Sequence, residues 1–214
     1  MNDTGNRLIE QLAGDLRPVR VIRPRDGLLF GTLAVLVTTV AVMILYGPRA
    51  GLAGGDFSVF FPIANGILLV LGAAAAASTV AMANPRVGNR HEGPVWAAAM
   101  AAILPLTAGV LLIVHRYEWQ DLLAPAIGWH CTARALGAGG LTVLALLAWL
   151  RRGAPVSPRK AGLHLGVASG ALGSVAYGLS CPVDTLYHLA VWHFLPVVLF
   201  AVLGMALIPR LIRW

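Results

Sequence analysis

The chain of 214 residues carries two cysteines, Cys131 and Cys181. A thiolate is a nucleophile, a soft-metal ligand and one half of a disulfide. Cys131 falls at the start of one apolar run and Cys181 just after the end of the next. A helix N-terminus favours a thiolate and a C-terminus opposes it. Arg134, one helical turn beyond Cys131, adds to the first effect. Cys131 is therefore the expected first-reacting thiol and Cys181 its partner. Disulfide bonding needs Cα atoms about 4.4–6.8 Å apart, which holds only if the two runs pack side by side. Two buried, inert cysteines are the plainer alternative.

Polar residues gather around the thiols. His130 precedes Cys131, while Asp184 and His188 follow Cys181. His115 ends a third run on the same side. Two thiolates and histidines suit Zn2+, which takes four N or S ligands. Yet neither CxxC nor HExxH spacing is present. No constitutive metal site is expected, and Cys131 and Cys181 are expected to bind a soft ion transiently. His193, five residues after His188 and off its helix face, reads as a hydrogen-bonded histidine of the bundle. His91 and His164 read as having no special role. Arg134 lies one turn inside an apolar run and needs a partner. Asp184 is the first choice, then Asp56, Glu118 or Asp121. Asp184 is also expected to cap the helix starting at Leu186.

The elements that must position these residues are apolar. The chain is 58% hydrophobic and 12% charged, with a mean hydropathy of +0.77. A soluble domain carries about 25% charged residues. Six apolar runs cover residues 27–46, 59–82, 95–115, 131–150, 161–180 and 186–208. At about 1.5 Å per residue, each is long enough to cross a hydrocarbon core of about 30 Å. The polar residues 1–26 are too many and too acidic for a signal-peptide n-region, so the first run should be a retained helix. The expected fold is all-α: a six-helix transmembrane bundle (27–214) behind a short amphipathic cytoplasmic N-terminal helix and basic connector (1–26).

Charge sets the orientation. With both termini cytoplasmic, only Arg49, Arg116 and Arg134 of the sixteen Lys and Arg residues lie outside. The formal charge of +7 thus reflects the positive-inside rule and not direct nucleic-acid binding. Trp96, Trp119, Trp129, Trp149 and Trp214 fall near the expected interfaces, and Trp192 inside a run. Gly162, Gly166, Gly170, Ser174 and Gly178 recur every four residues and form a small-residue stripe. It serves packing within the bundle or, alternatively, a homodimer. Pro62, Pro105 and Pro196 should kink or break their runs.

Residues 4–17 alternate with helical period, placing Leu8, Ile9, Leu12, Ala13 and Leu16 on one face. Asp3 or Thr4 can cap the start and Pro18 ends it. So short a helix needs a surface, which is either membrane lipid or a protein groove.

The run Leu8-Ile9-Glu10-Gln11-Leu12-Ala13-Gly14-Asp15-Leu16-Arg17-Pro18-Val19 resembles the start of NrsF-type membrane anti-sigma factors. Ser180-Cys181-Pro182-Val183-Asp184-Thr185-Leu186-Tyr187-His188, with Trp192-His193, resembles their second cysteine motif, and Cys131 the first. Arg151-Arg152-Gly153-Ala154-Pro155 is similar to their basic inner loop, and Arg210-Leu211-Ile212-Arg213-Trp214 to their ending. The resemblance covers the whole chain. It implies a protein of the bacterial inner membrane that holds an extracytoplasmic-function sigma factor away from RNA polymerase core. Release would follow a signal, oxidant or heavy metal, read by the two cysteines. It also implies that Leu8, Ile9, Leu12, Asp15, Leu16 and Arg17 bind the sigma factor. No enzyme activity and no cofactor are expected. A membrane thiol-disulfide oxidoreductase would need a CxxC or two cooperating pairs. A small transporter would place ionisable residues near the midplane.

Overall fold

Apolar runs punctuated by proline and glycine give helices. The computed structural model describes residues 3–14, 22–85, 93–115 and 126–212. Its helices are α1 (Asp3–Gly14), α2 (Pro24–Tyr46), α3 (Phe60–Met82), α4 (Gly93–His115), α5 (Ala126–Leu150), α6 (Pro158–Gly178), α7 (Leu186–Trp192) and α8 (Leu195–Leu211). There is no strand among the described residues. Pro24 opens α2, where its fixed φ suits the first turn and its missing N–H is not needed. Gly47 closes α2 at φ +73°, its N–H donating to the Met43 carbonyl. That left-handed ending costs glycine little.

The Gly- and Ser-rich helix α6 occupies the middle of the bundle, packed against α8, α3 and α5. From Ala168 to Gly178 only Val175 is not buried. The small-residue stripe explains how. A Cβ on Gly170 would lie 2.5 Å from Val197 Cα, and Gly162 and Gly166 face the backbone of α8 at Gly204 and Phe200. Gly173 meets the backbone of α5, and Gly178 meets Asn65 of α3. Close backbone approach of this kind packs helices in a medium as apolar as their side chains. The stripe is thus filled by the chain's own helices.

The last apolar run is interrupted. In an unbroken helix residue 196 would donate its N–H to the Trp192 carbonyl. Pro196 has none, and the chain turns at His193–Phe194 between α7 and α8. The freed Trp192 carbonyl accepts the Thr132 hydroxyl of α5 at 2.9 Å. Pro62 lies in the first turn of α3, and Pro105 stays inside α4.

Five stretches of the described residues are long and apolar enough to cross a membrane: Pro24–Tyr46, Phe60–Met82, Val95–Val114, Ile127–Leu150 and Leu186–Leu211. Helix α6 is not among them, because glycine and serine replace the large apolar residues of the other helices. Trp149, next to the last residue of α5, faces inward. It is 2% exposed, packs over Gly27 and donates its indole N–H to the Val80 carbonyl at 3.1 Å. Trp96 and Trp129 are exposed, whereas Trp119 and Trp214 lie outside the described residues. In α1, Leu8, Ile9 and Leu12 are all exposed.

Candidate cysteine and histidine site

Both cysteines lie at the end of the bundle where α2 and α6 finish and α5 begins. Cys131 is in the second turn of α5. Cys181 follows the last turn of α6, its N–H donating to the Gly178 carbonyl at 3.2 Å. Because α5 and α6 are packed neighbours, the two sulfurs sit 3.6 Å apart. Both are free thiols, 0% and 1% exposed. The two runs do pack side by side, as expected of neighbouring cysteines, and both thiols are buried.

The residues on both sides of Cys181 are strapped to the α2–α3 link. The Arg49 N–H donates to the Leu179 carbonyl at 2.9 Å. Its guanidinium donates to Asp184 Oδ2 at 3.0 Å, and the Ser58 N–H donates to the same oxygen at 2.6 Å. The Ser58 hydroxyl donates to the Asp184 carbonyl at 2.7 Å. Arg49 also stacks 4.6 Å over the Phe61 ring. The Ser58 N–H first and Arg49 second hold the Asp184 carboxyl below the usual carboxylate range, against the effect of burial.

This arrangement corrects two expectations. Asp184 pairs with Arg49, not with Arg134. Arg134 donates instead to the Tyr177 hydroxyl at 2.9 Å and lies 4.7 Å over the Tyr46 ring. Aromatic faces and a phenol oxygen satisfy a guanidinium without a carboxylate, and these are the contacts Arg134 makes among the described residues. Nor does Asp184 cap α7. Thr185 holds the N-cap position, with no side-chain cap bond, because the Asp184 carboxylate is already engaged by Ser58 and Arg49.

The histidines also sort differently from expectation. His188, 2% exposed, places Nε2 3.5 Å from Cys181 Sγ. His130 is exposed despite its place beside Cys131, since adjacent helical residues point about 100° apart. His193 joins the cluster instead. It is 1% exposed, its ring 5.6 Å from that of His188 and stacked 6.1 Å from that of Tyr177. One donor atom from each of Cys131, Cys181, His188 and His193 lies within 4.8 Å of the others. The missed signal was Pro196, which ends α7 just before His193 and removes the helical constraint on its direction.

Chemically, the cluster offers two thiols and two imidazoles, all buried. The Cys181 thiol, hydrogen-bonded to Cys131 and buried, is pushed above the usual thiol range. Closing the sulfurs from 3.6 Å to the roughly 2.05 Å of a disulfide requires a small approach of α5 and the Cys181 segment. The same donors can surround a soft cation. The other expected contact residues lie elsewhere: Leu8, Ile9 and Leu12 are exposed on α1, and Asp15, Leu16 and Arg17 lie outside the described residues, as do Glu118 and Asp121.

A family model described as NrsF, negative regulator of sigma F, matches residues 12–214. Among curated proteins, the Anti-sigma-F factor NrsF of Caulobacter vibrioides (strain NA1000 / CB15N) is 35% identical over 111 residues. That match takes in 51% of this chain and 47% of the relative, so it spans about half the length of each. No solved structure matches the chain.

Proposed function

Because this chain belongs to the NrsF family, the negative regulators of sigma F, we propose that it is a membrane-bound anti-sigma factor with a thiol sensor. Residues 1–26 carry the sigma contact and residues 27–214 the sensor. The partner is an extracytoplasmic-function sigma factor, held at the bacterial inner membrane by a protein with both termini in the cytoplasm. In this reading α6 makes the sixth crossing. Its surface lies against other helices and not against lipid, so it does not need a strongly apolar composition. The protein acts by binding and not by catalysis.

The sensor reading rests chiefly on the 3.6 Å approach of Cys131 and Cys181 Sγ. A hydroperoxide can accept the two electrons of this pair. One S–S bond forms, the O–O bond breaks, and the two thiol protons leave in water and the alcohol. A soft divalent cation would instead be taken up by both sulfurs as thiolates. Either change alters how α5 meets the Cys181 segment and repacks α5 to α8. Moving a sigma factor from mostly bound to mostly free needs about 5.5 kcal/mol. A bond or metal ligation made in only one of the two folded states is the kind of differential interaction that shift requires.

The N-terminal segment supports the sigma contact. The exposed Leu8, Ile9 and Leu12 of α1 offer an apolar helix face of the kind that docks in a protein groove. Asp15, Leu16 and Arg17 follow in the sequence and complete the proposed contact. A sigma-dependent reporter tests both parts. Leu8→Glu with Leu12→Glu should give constitutive transcription. Cys131→Ser with Cys181→Ser should keep repression and lose induction by oxidant or metal. Unchanged induction in the double serine variant removes the sensor.

A further inference from the structure

The sequence offered no metal motif, yet the fold brings two thiols and two imidazoles together. We infer that Cys131, Cys181, His188 and His193 form a resident tetrahedral site for one thiophilic divalent cation of the Zn2+ class. Geometry carries the inference. With Zn–S near 2.3 Å and Zn–N near 2.05 Å, tetrahedral ligation separates two sulfurs by about 3.8 Å and a sulfur from a nitrogen by about 3.6 Å. The two sulfurs are 3.6 Å apart, and Cys181 Sγ is 3.5 Å from His188 Nε2. All four donor atoms fall within 4.8 Å of one another.

A second observation points to the same ligand. His193 Nε2 is buried with no hydrogen-bond partner among the described residues. Its other ring nitrogen, Nδ1, lies 3.4 Å from the Ser174 carbonyl. A proton on Nδ1, donated to that carbonyl, leaves the lone pair on Nε2. A backbone acceptor behind the ring is the usual way of orienting a metal-bound imidazole. Ser174 is a member of the small-residue stripe, so the helix that packs the bundle also orients this histidine.

Charge agrees. Binding M2+ by two thiols releases two protons and leaves two thiolates, two neutral imidazoles and the cation. The net charge is zero, which a buried site tolerates far better than a free ion. The four ligands come from α5, from the α6–α7 link, and from α7 and its C-cap. One ion therefore fixes the α7–α8 break against α5, where Thr132 already holds the Trp192 carbonyl. This site extends the proposed sensor by giving the thiol pair two histidine partners and a resting occupant. It rests on the structure and needs no sigma factor.

The test uses full-length protein purified in detergent under reducing, chelator-free conditions. We expect close to one Zn2+ per chain by elemental analysis. Replacement by Co2+ should give tetrahedral d–d bands and a thiolate-to-cobalt charge-transfer band. His193→Gln should weaken Co2+ binding by more than about 100-fold, beyond the loss caused by removing an outer-shell partner. A wild-type protein without Zn2+ and without the charge-transfer band overturns the site. So does a His193→Gln protein with the wild-type Co2+ spectrum and affinity. If His193→Gln does not fold, His188→Asn and the wild-type spectrum decide by the same criteria. Sigma co-purification is a separate readout, so failure of the metal site and failure of the anti-sigma reading are distinguishable.

Discussion

At the scale of single residues, Asp184 governs how firmly the Cys181 segment is held. Its carboxylate takes the Ser58 N–H and one arm of Arg49, whose Nε and Nη1 are buried without partners among the described residues. Removing the acid charge strands a guanidinium whose side chain is 6% exposed. Asp184→Asn should cost about 2 kcal/mol, as for a buried donor left unmatched. The pH dependence has a definite sign. The folded pKa of Asp184 lies below its unfolded value, so its contribution is present above the ordinary carboxylate range. It is lost as pH falls through the lower folded value. The gap in thermal stability between wild type and Asp184→Asn should therefore close below about pH 4. A gap that stays constant from neutral to acid pH would contradict the assignment.

The sequence placed Asp184 beside a needy arginine but chose the wrong one. Spacing shows which charges share an end of the bundle. It does not show that Tyr46 and Tyr177 converge on Arg134, or that the α2–α3 link folds back to bring Arg49 to residue 184. Those facts depend on contacts between helices distant in sequence. The same limit hid His193, which off-face helical spacing set aside and the turn at His193–Phe194 brought into the cluster.

At the scale of elements, α6 decides the architecture. Gly170→Ala would push a methyl to 2.5 Å from Val197 Cα, and backbone cannot yield as a side chain tip can. We expect a loss of about 2 kcal/mol from overpacking. Gly66→Ala in α3, with nothing within 4 Å of the added carbon, should be neutral or stabilising by up to about 1 kcal/mol. Unfolding in mixed micelles checks both, and equal effects at the two positions would contradict the packing role of α6. The four-residue repeat was legible because a helix face has that period. Its mates on α8, α5 and α3 were not, since many helices could accept such a face. Apolarity read each run singly and ranked α6 lowest. The structure reverses that rank, because small residues let α6 bury the most.

At the scale of the whole molecule, the proposed account joins two ends of one bundle. At one end a buried thiol and imidazole cluster links α5, the α6–α7 segment and α7. At the other, α2 begins, residues 151–157 turn and α8 finishes, with Trp149 bonded to Val80 and Arg151 to the Leu211 carbonyl. Helices α5, α6 and α8 run between the ends, so a change in how α5 meets α6 is carried by rigid elements. The family was legible from the order of short motifs along the chain. The sigma contact was legible only as an apolar face on residues 4–17, because a face without its partner does not name that partner.

The most direct test of the central claim is co-purification from the native membrane. Full-length protein and a form lacking residues 1–25 would be recovered from unstressed cells and their partners identified by mass spectrometry. The account predicts a sigma factor with the full-length chain and none with the truncated one. A full-length protein that recovers no sigma factor, or a truncated one that recovers it equally well, would contradict it.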